Sequence, residues 1–94
     1  MDRNEKVKLL LKRWKGDPRL RVYHMVILMA ILNLWVAGSS PGAISISRRS
    51  MLEVTRIGGI GTYHRYMKDL RVFGYIEYTP SYHPRFGSKV ALVV

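Results

Sequence analysis

Between Ser47 and Thr79 the sequence reads SRRSMLEVTRIGGIGTYHRYMKDLRVFGYIEYT, and its patterning leaves few folds open. Ser47 is a helix-capping residue type, and a short helix over residues 48–56 is expected behind it. Ile57-Gly58-Gly59 then interrupts the pattern as a turn. From Ile60 onward Tyr63, Met67 and Leu70 recur at three- and four-residue spacing, with Tyr66 and Phe73 on the flank, until Gly74 closes a second helix. That register sends Gly61, Thr62, His64, Arg65, Lys68, Asp69 and Val72 outward. Tyr75 to Thr79 alternates and is rich in aromatic and β-branched residues, which is the pattern of a strand.

The remaining segments extend this order in both directions. Val7, Leu10, Leu11 and Trp14 stand at i, i+3, i+4 and i+7, with Lys6, Lys8, Lys12, Arg13 and Lys15 around them, so residues 4–15 read as a basic amphipathic helix. Gly16 supplies a left-handed stop, Asp17 an N-cap acceptor and Pro18 a first helical position, predicting a second helix over residues 18–37 that ends at Gly38. Residues 39–42 are a loop by composition and 43–46 a brief strand. Lys89 to Val94 alternates and is expected to pair antiparallel with residues 75–79. The segment between them, 80–88, is too long for a tight hairpin turn and reads as a wing. The expected fold is therefore α+β, mainly α: one domain over 1–94, a winged helix-turn-helix with an extra N-terminal helix and a C-terminal β-hairpin wing.

Charge narrows the partners. Sixteen Lys and Arg against six Asp and Glu give a formal +10 on 94 residues, a balance that attracts phosphate-rich polymers or anionic surfaces. Residues 1–21 hold eight basic and three acidic side chains, residues 48–94 again eight and three, and residues 22–47 none. Two basic flanks thus enclose an apolar middle. The run over residues 22–37 has about the minimum length for a bilayer span and is interrupted by His24 and Asn33, so a buried core helix is expected and no membrane partner. The N-terminus MDRNEKVK does not read as a secretory signal. With no cysteine, disulfides and thiolate chemistry are excluded, which suits a cytoplasmic protein.

A helix-turn-helix reads DNA through the N-terminal part of its second helix, steadied by phosphate contacts from its neighbours. Here Thr62, His64, Arg65 and Lys68 are the candidate readers, Arg65 having the fork that pairs with guanine O6 and N7. Arg48 and Arg49 in the preceding helix are candidate phosphate contacts. In the wing Tyr82, His83, Arg85 and Lys89 are candidates for the minor groove or the sugar-phosphate chain. Six to eight phosphate contacts would make log K fall with log salt at about −0.9 per contact.

Each feature has a blander reading. Exposed Arg and Lys are often solvated charge, and Tyr63, Tyr66 and Phe73 suit a core better than a stacking platform. His64 and His83 have no third partner at metal-ligand spacing, so no metal and no cofactor are expected. Tyr63, Tyr66 and Tyr82 lack a base or metal that would activate them, and Gly58-Gly59-Ile60-Gly61 lacks the preceding strand and Lys-Ser/Thr of a nucleotide loop, so no enzyme is expected. No small-molecule effector is evident. A helix apolar nearly all round in a chain this short further predicts a homodimer through the N-terminal helices. The alternatives to a DNA reader are a structural dimerisation module, or an RNA-binding accessory protein that stacks bases on Tyr75 and Tyr78.

The segments ISISRRSM, TYHRYMKDLRVFGYIEY and PSYHPRFGSKV resemble small winged-helix proteins encoded on bacterial mobile genetic elements such as conjugative transposons, over most of the chain from about Trp14. The resemblance implies a DNA-binding role, regulating transcription or assisting recombination or excision. One departure stands at the helix start. Such relatives usually carry a capping residue where Gly59 stands and polar or basic residues at Ile60 and Gly61. The glycines either admit backbone amides close to phosphate or weaken the reading helix.

Overall fold

The computed structural model describes residues 2–38, 42–80 and 87–94. They form helices α1 (Arg3–Lys15), α2 (Val22–Ala37), α3 (Arg48–Thr55) and α4 (Ile60–Val72), and strands β1 (Ile44–Ile46), β2 (Ile76–Thr79) and β3 (Ser88–Leu92). The strands make one antiparallel sheet of order β1-β3-β2. The molecule is a small α+β fold, mostly helical, as expected. The brief first strand was legible in sequence; its partner was not, because pairing of Ile44 with Val90 spans almost half the chain.

Helix α2 is the centre of the core. Ile27, Leu28 and Ile31 are fully buried, met by Leu10 and Trp14 from α1, Met51 from α3, and Tyr63, Met67 and Leu70 from α4. The sheet closes the remaining side with Ile46, Ile76, Val90 and Leu92, while Lys89 is exposed beside buried Val90. Where β3 begins, Gly87 lies so close to β1 that a Cβ would stand 2.6 Å from the Ile46 carbonyl oxygen. Only glycine fits there.

Three local expectations fail for identifiable reasons. Helix α2 starts at Val22 rather than residue 18, because Asp17 caps nothing: its carboxylate accepts the Arg19 amide at 2.9 Å, the Arg19 guanidinium and the Tyr75 hydroxyl. Gly16 is right-handed, with φ −84°, so α1 closes without the left-handed stop. The residue that does turn left-handed after a helix is Arg56, φ 59°, where a glycine would be the cheaper choice; Gly74, φ 83°, is left-handed as expected. Leu11 belongs to the apolar stripe by spacing but remains 40% exposed. Among the described residues no helix is long and apolar enough to cross a membrane.

Candidate nucleic-acid interface

Helix α4 has two unlike ends, and the residues explain why. At its C-terminal half Asp69 keeps a side chain that is 41% exposed, yet its Oδ2 lies 2.9 Å from Nε2 of His24 on α2. The other nitrogen of that ring, Nδ1, accepts the Arg21 amide at 2.8 Å, so in the neutral ring Nε2 carries the proton and donates to Asp69. His24 is 3% exposed and packs edge-on against Tyr66 at 4.6 Å, with Phe73 at 5.7 Å. A histidine inside an otherwise uncharged run must find polar partners when buried; that requirement was the one signal in sequence pointing to this contact.

The N-terminal end of α4 is bare. Gly59 occupies the N-cap with no side-chain hydrogen bond, and a Cβ added at Gly58 or Gly61 would meet nothing within 4 Å. Neither glycine is required by a positive φ or by packing. The first amide groups of α4 therefore have no side-chain cap, with the helix dipole behind them. Helix α3, by contrast, is capped as expected: Ser47 Oγ accepts the Ser50 amide at 3.1 Å.

Outward on α4, His64, Arg65 and Lys68 are exposed and Arg71 continues their stripe one turn on, while Thr62 is half-buried beside Gly59. The Arg65 guanidinium lies 5.3 Å from the Tyr66 ring centroid, and Lys68 and Arg71 make no ion pair among the described residues. Asp69 is the one acidic residue of α4, and His24 holds it.

On α3 both Arg48 and Arg49 are exposed. Arg49 approaches Glu53 at 3.7 Å, an exposed pair worth at most about 1 kcal/mol. Both stand in the first turn, where the helix dipole disfavours cations by some tenths of a kcal/mol. On the sheet Lys89 donates to Ser45 Oγ at 2.6 Å. Tyr82, His83 and Arg85, the other expected wing contacts, lie outside the described residues.

The remaining chemistry is structural. Burial pushes the Tyr63 phenol up to about 12, so it stays neutral in the core. The Arg19 guanidinium, with the Tyr75 hydroxyl and the Arg19 amide, holds the Asp17 carboxyl well below the usual carboxylate range. Among the described residues no three His, Cys, Asp or Glu gather as metal ligands. Comparison with protein-family models, with curated proteins and with solved structures finds no match for this chain.

Proposed function

We propose that the chain is a winged helix-turn-helix protein that binds double-stranded DNA in a sequence-specific, non-enzymatic way. In this reading α3 and α4 are the two helices, α4 the reader, the β2–β3 hairpin the wing, and α1 the added N-terminal helix. The observation that carries it is the exposed row of Arg65, Lys68 and Arg71 on α4, beside His64, in which Lys68 and Arg71 have no ion pair among the described residues and the one acidic residue of the helix, Asp69, is engaged by His24. Cations placed against the dipole of α3 at Arg48 and Arg49 support it, since they cost the fold a little and suit a phosphate ligand. The open glycine turn lets the first amides of α4 meet a phosphate oxygen closely.

The resemblance to mobile-element proteins supports a regulatory or recombination-accessory role for that binding. An RNA-stacking sheet is disfavoured: Tyr75 is 2% exposed with its hydroxyl on Asp17, and Tyr78 is half-buried with its hydroxyl 3.1 Å from Ser88 Oγ. The test is selection of bound duplexes from a random pool, then titration of the winner against salt and against RNA of the same sequence. The expected result is an enriched site, a slope of roughly −0.9 per phosphate contact, and preference for the DNA duplex. No enrichment, or equal binding of RNA, sinks the proposal.

A further inference from the structure

Helix α2 does more than fill the core. Val22, Val26, Met29, Asn33 and Val36 follow one another at spacings of four, three, four and three. That is the seam of a helix that packs along another helix. Inside a finished core such a seam would be covered, yet here Val22 is 76%, Met29 40% and Val36 47% exposed, Asn33 is exposed and Val26 half-buried. An open groove of about 570 Å³ runs along it as far as Asn33, with Arg21 as the one charged residue of its lining, at the end where α2 begins, and Val54 of α3, itself 63% exposed, on its flank.

We infer that this seam is where a second copy of the chain docks, α2 against α2. Three observations select that occupant. The chain carries +10, so two copies repel wherever basic faces meet, and residues 22–47, which hold the seam, are the part of the chain without a single Lys, Arg, Asp or Glu. A seam spaced four-three-four-three is filled best by a helix of the same spacing, and the second copy's α2 supplies one. Asn33 is the single polar residue in the seam, the kind of position that sets register and discourages larger assemblies.

The geometry also sets the strength. A sixteen-residue helix is about 24 Å long and presents a strip about 10 Å wide, a few hundred Å² per copy, against roughly 800 Å² in a standard interface. The dimer is therefore weak and concentration-dependent in free solution. Whether the two helices run parallel in register or antiparallel about their middle, the two-fold axis places Met29 beside Met29 of the other copy. No α4 residue lines the groove, so the face carrying Arg65 and Lys68 stays open.

The chain contains no cysteine, which makes the test direct. Sedimentation of the whole protein is measured from micromolar to millimolar concentration without nucleic acid, beside Met29→Lys. Met29→Cys and, as control, Val72→Cys on the exposed side of α4 are oxidised in parallel. The expected result is a mass rising from monomer towards dimer, a Met29→Lys variant that stays monomeric with unchanged circular dichroism and melting, and a disulfide-linked dimer formed by Met29→Cys far faster than by Val72→Cys. A monomer at every concentration, a Met29→Lys variant that still dimerises, or equal cross-linking of the two cysteines overturns the inference. Because the assay holds no DNA, its failure leaves the DNA reading standing, and the reverse also holds.

Discussion

Residues 1–21 and residues 48–94 carry the same charge inventory, eight basic and three acidic side chains each, but the fold engages different kinds of contact with them. In the N-terminal flank much of the charge is turned onto the protein itself. Arg3 donates to the carbonyls of Trp35 and Gly38 at the end of α2, and it and Lys6 lie over the Trp35 ring at 4.9 and 4.7 Å. Arg13 donates to Gly74 and Val93 at 3.1 and 3.0 Å with its guanidinium 4.2 Å from the Tyr75 ring, and Arg19 pairs with Asp17 beside Phe73. In the C-terminal flank the contacts are on the surface, Arg49 with Glu53, Arg65 by the Tyr66 ring and Lys89 with Ser45, and Arg48, Lys68 and Arg71, like Lys8, Lys12 and Lys15 of the other flank, make no hydrogen bond or ion pair among the described residues. Net charge thus says that a polyanion is attracted. In the proposed reading, where it docks depends on which cations the fold leaves unpaired and on which face they stand.

The largest effect separates the flanks at the level of binding. Arg65→Ala with Lys68→Ala is expected to lower affinity for the selected duplex tenfold or more, since one base-reading Arg is worth about 1–3 kcal/mol, and to reduce the salt slope by about 1. Lys8→Ala with Lys15→Ala removes the same charge from α1 and should change affinity much less; equal losses in fluorescence anisotropy would show that the partner senses charge alone. Next comes stability. Arg13→Ala leaves two carbonyls without their donor and should cost about 2–3 kcal/mol in urea unfolding, with DNA affinity of the folded protein retained.

A smaller change tests the bare end of α4. Gly61→Ala improves helix propensity with space to spare, and should stabilise by about 0.5–1 kcal/mol while weakening DNA binding where the methyl group meets phosphate. A variant that is more stable and binds equally well would show that the amides do not reach the backbone. The smallest effect concerns acid. Asp17 has a depressed folded-state pKa, so its contribution is present above the unfolded value of about 4 and is lost as pH falls towards the folded one. Melting temperature should therefore drop on acidification below about pH 4 in the native chain and less steeply in Asp17→Asn.

The helices of this fold and the outward set His64, Arg65 and Lys68 were legible in sequence because a 3.6-residue period reports which face is apolar, while Thr62, expected with them, is half-buried. What was missed came from contacts between distant residues. Asp69 falls on the outward side of α4 by spacing and remains 41% exposed there, but only the fold brings His24, forty-five positions earlier, to its carboxylate. Asp17 looks like an N-cap until Tyr75 and Arg19 claim its oxygens. Arg13 looks like one more solvated cation until Gly74 and Val93 come within reach. In each case a local preference worth about 1 kcal/mol yields to polar contacts that only the folded chain can assemble.

By itself the sequence determined the number and kind of elements, the apolar middle between two basic flanks, and the four-three spacing along α2, because each of these is a property of neighbours along the chain. The tertiary structure decided which cations remain free, which face of α2 stays uncovered, and which strand β1 joins. Those outcomes depend on where burial and hydrogen bonding between remote residues satisfy a side chain, and a one-dimensional pattern carries no record of that.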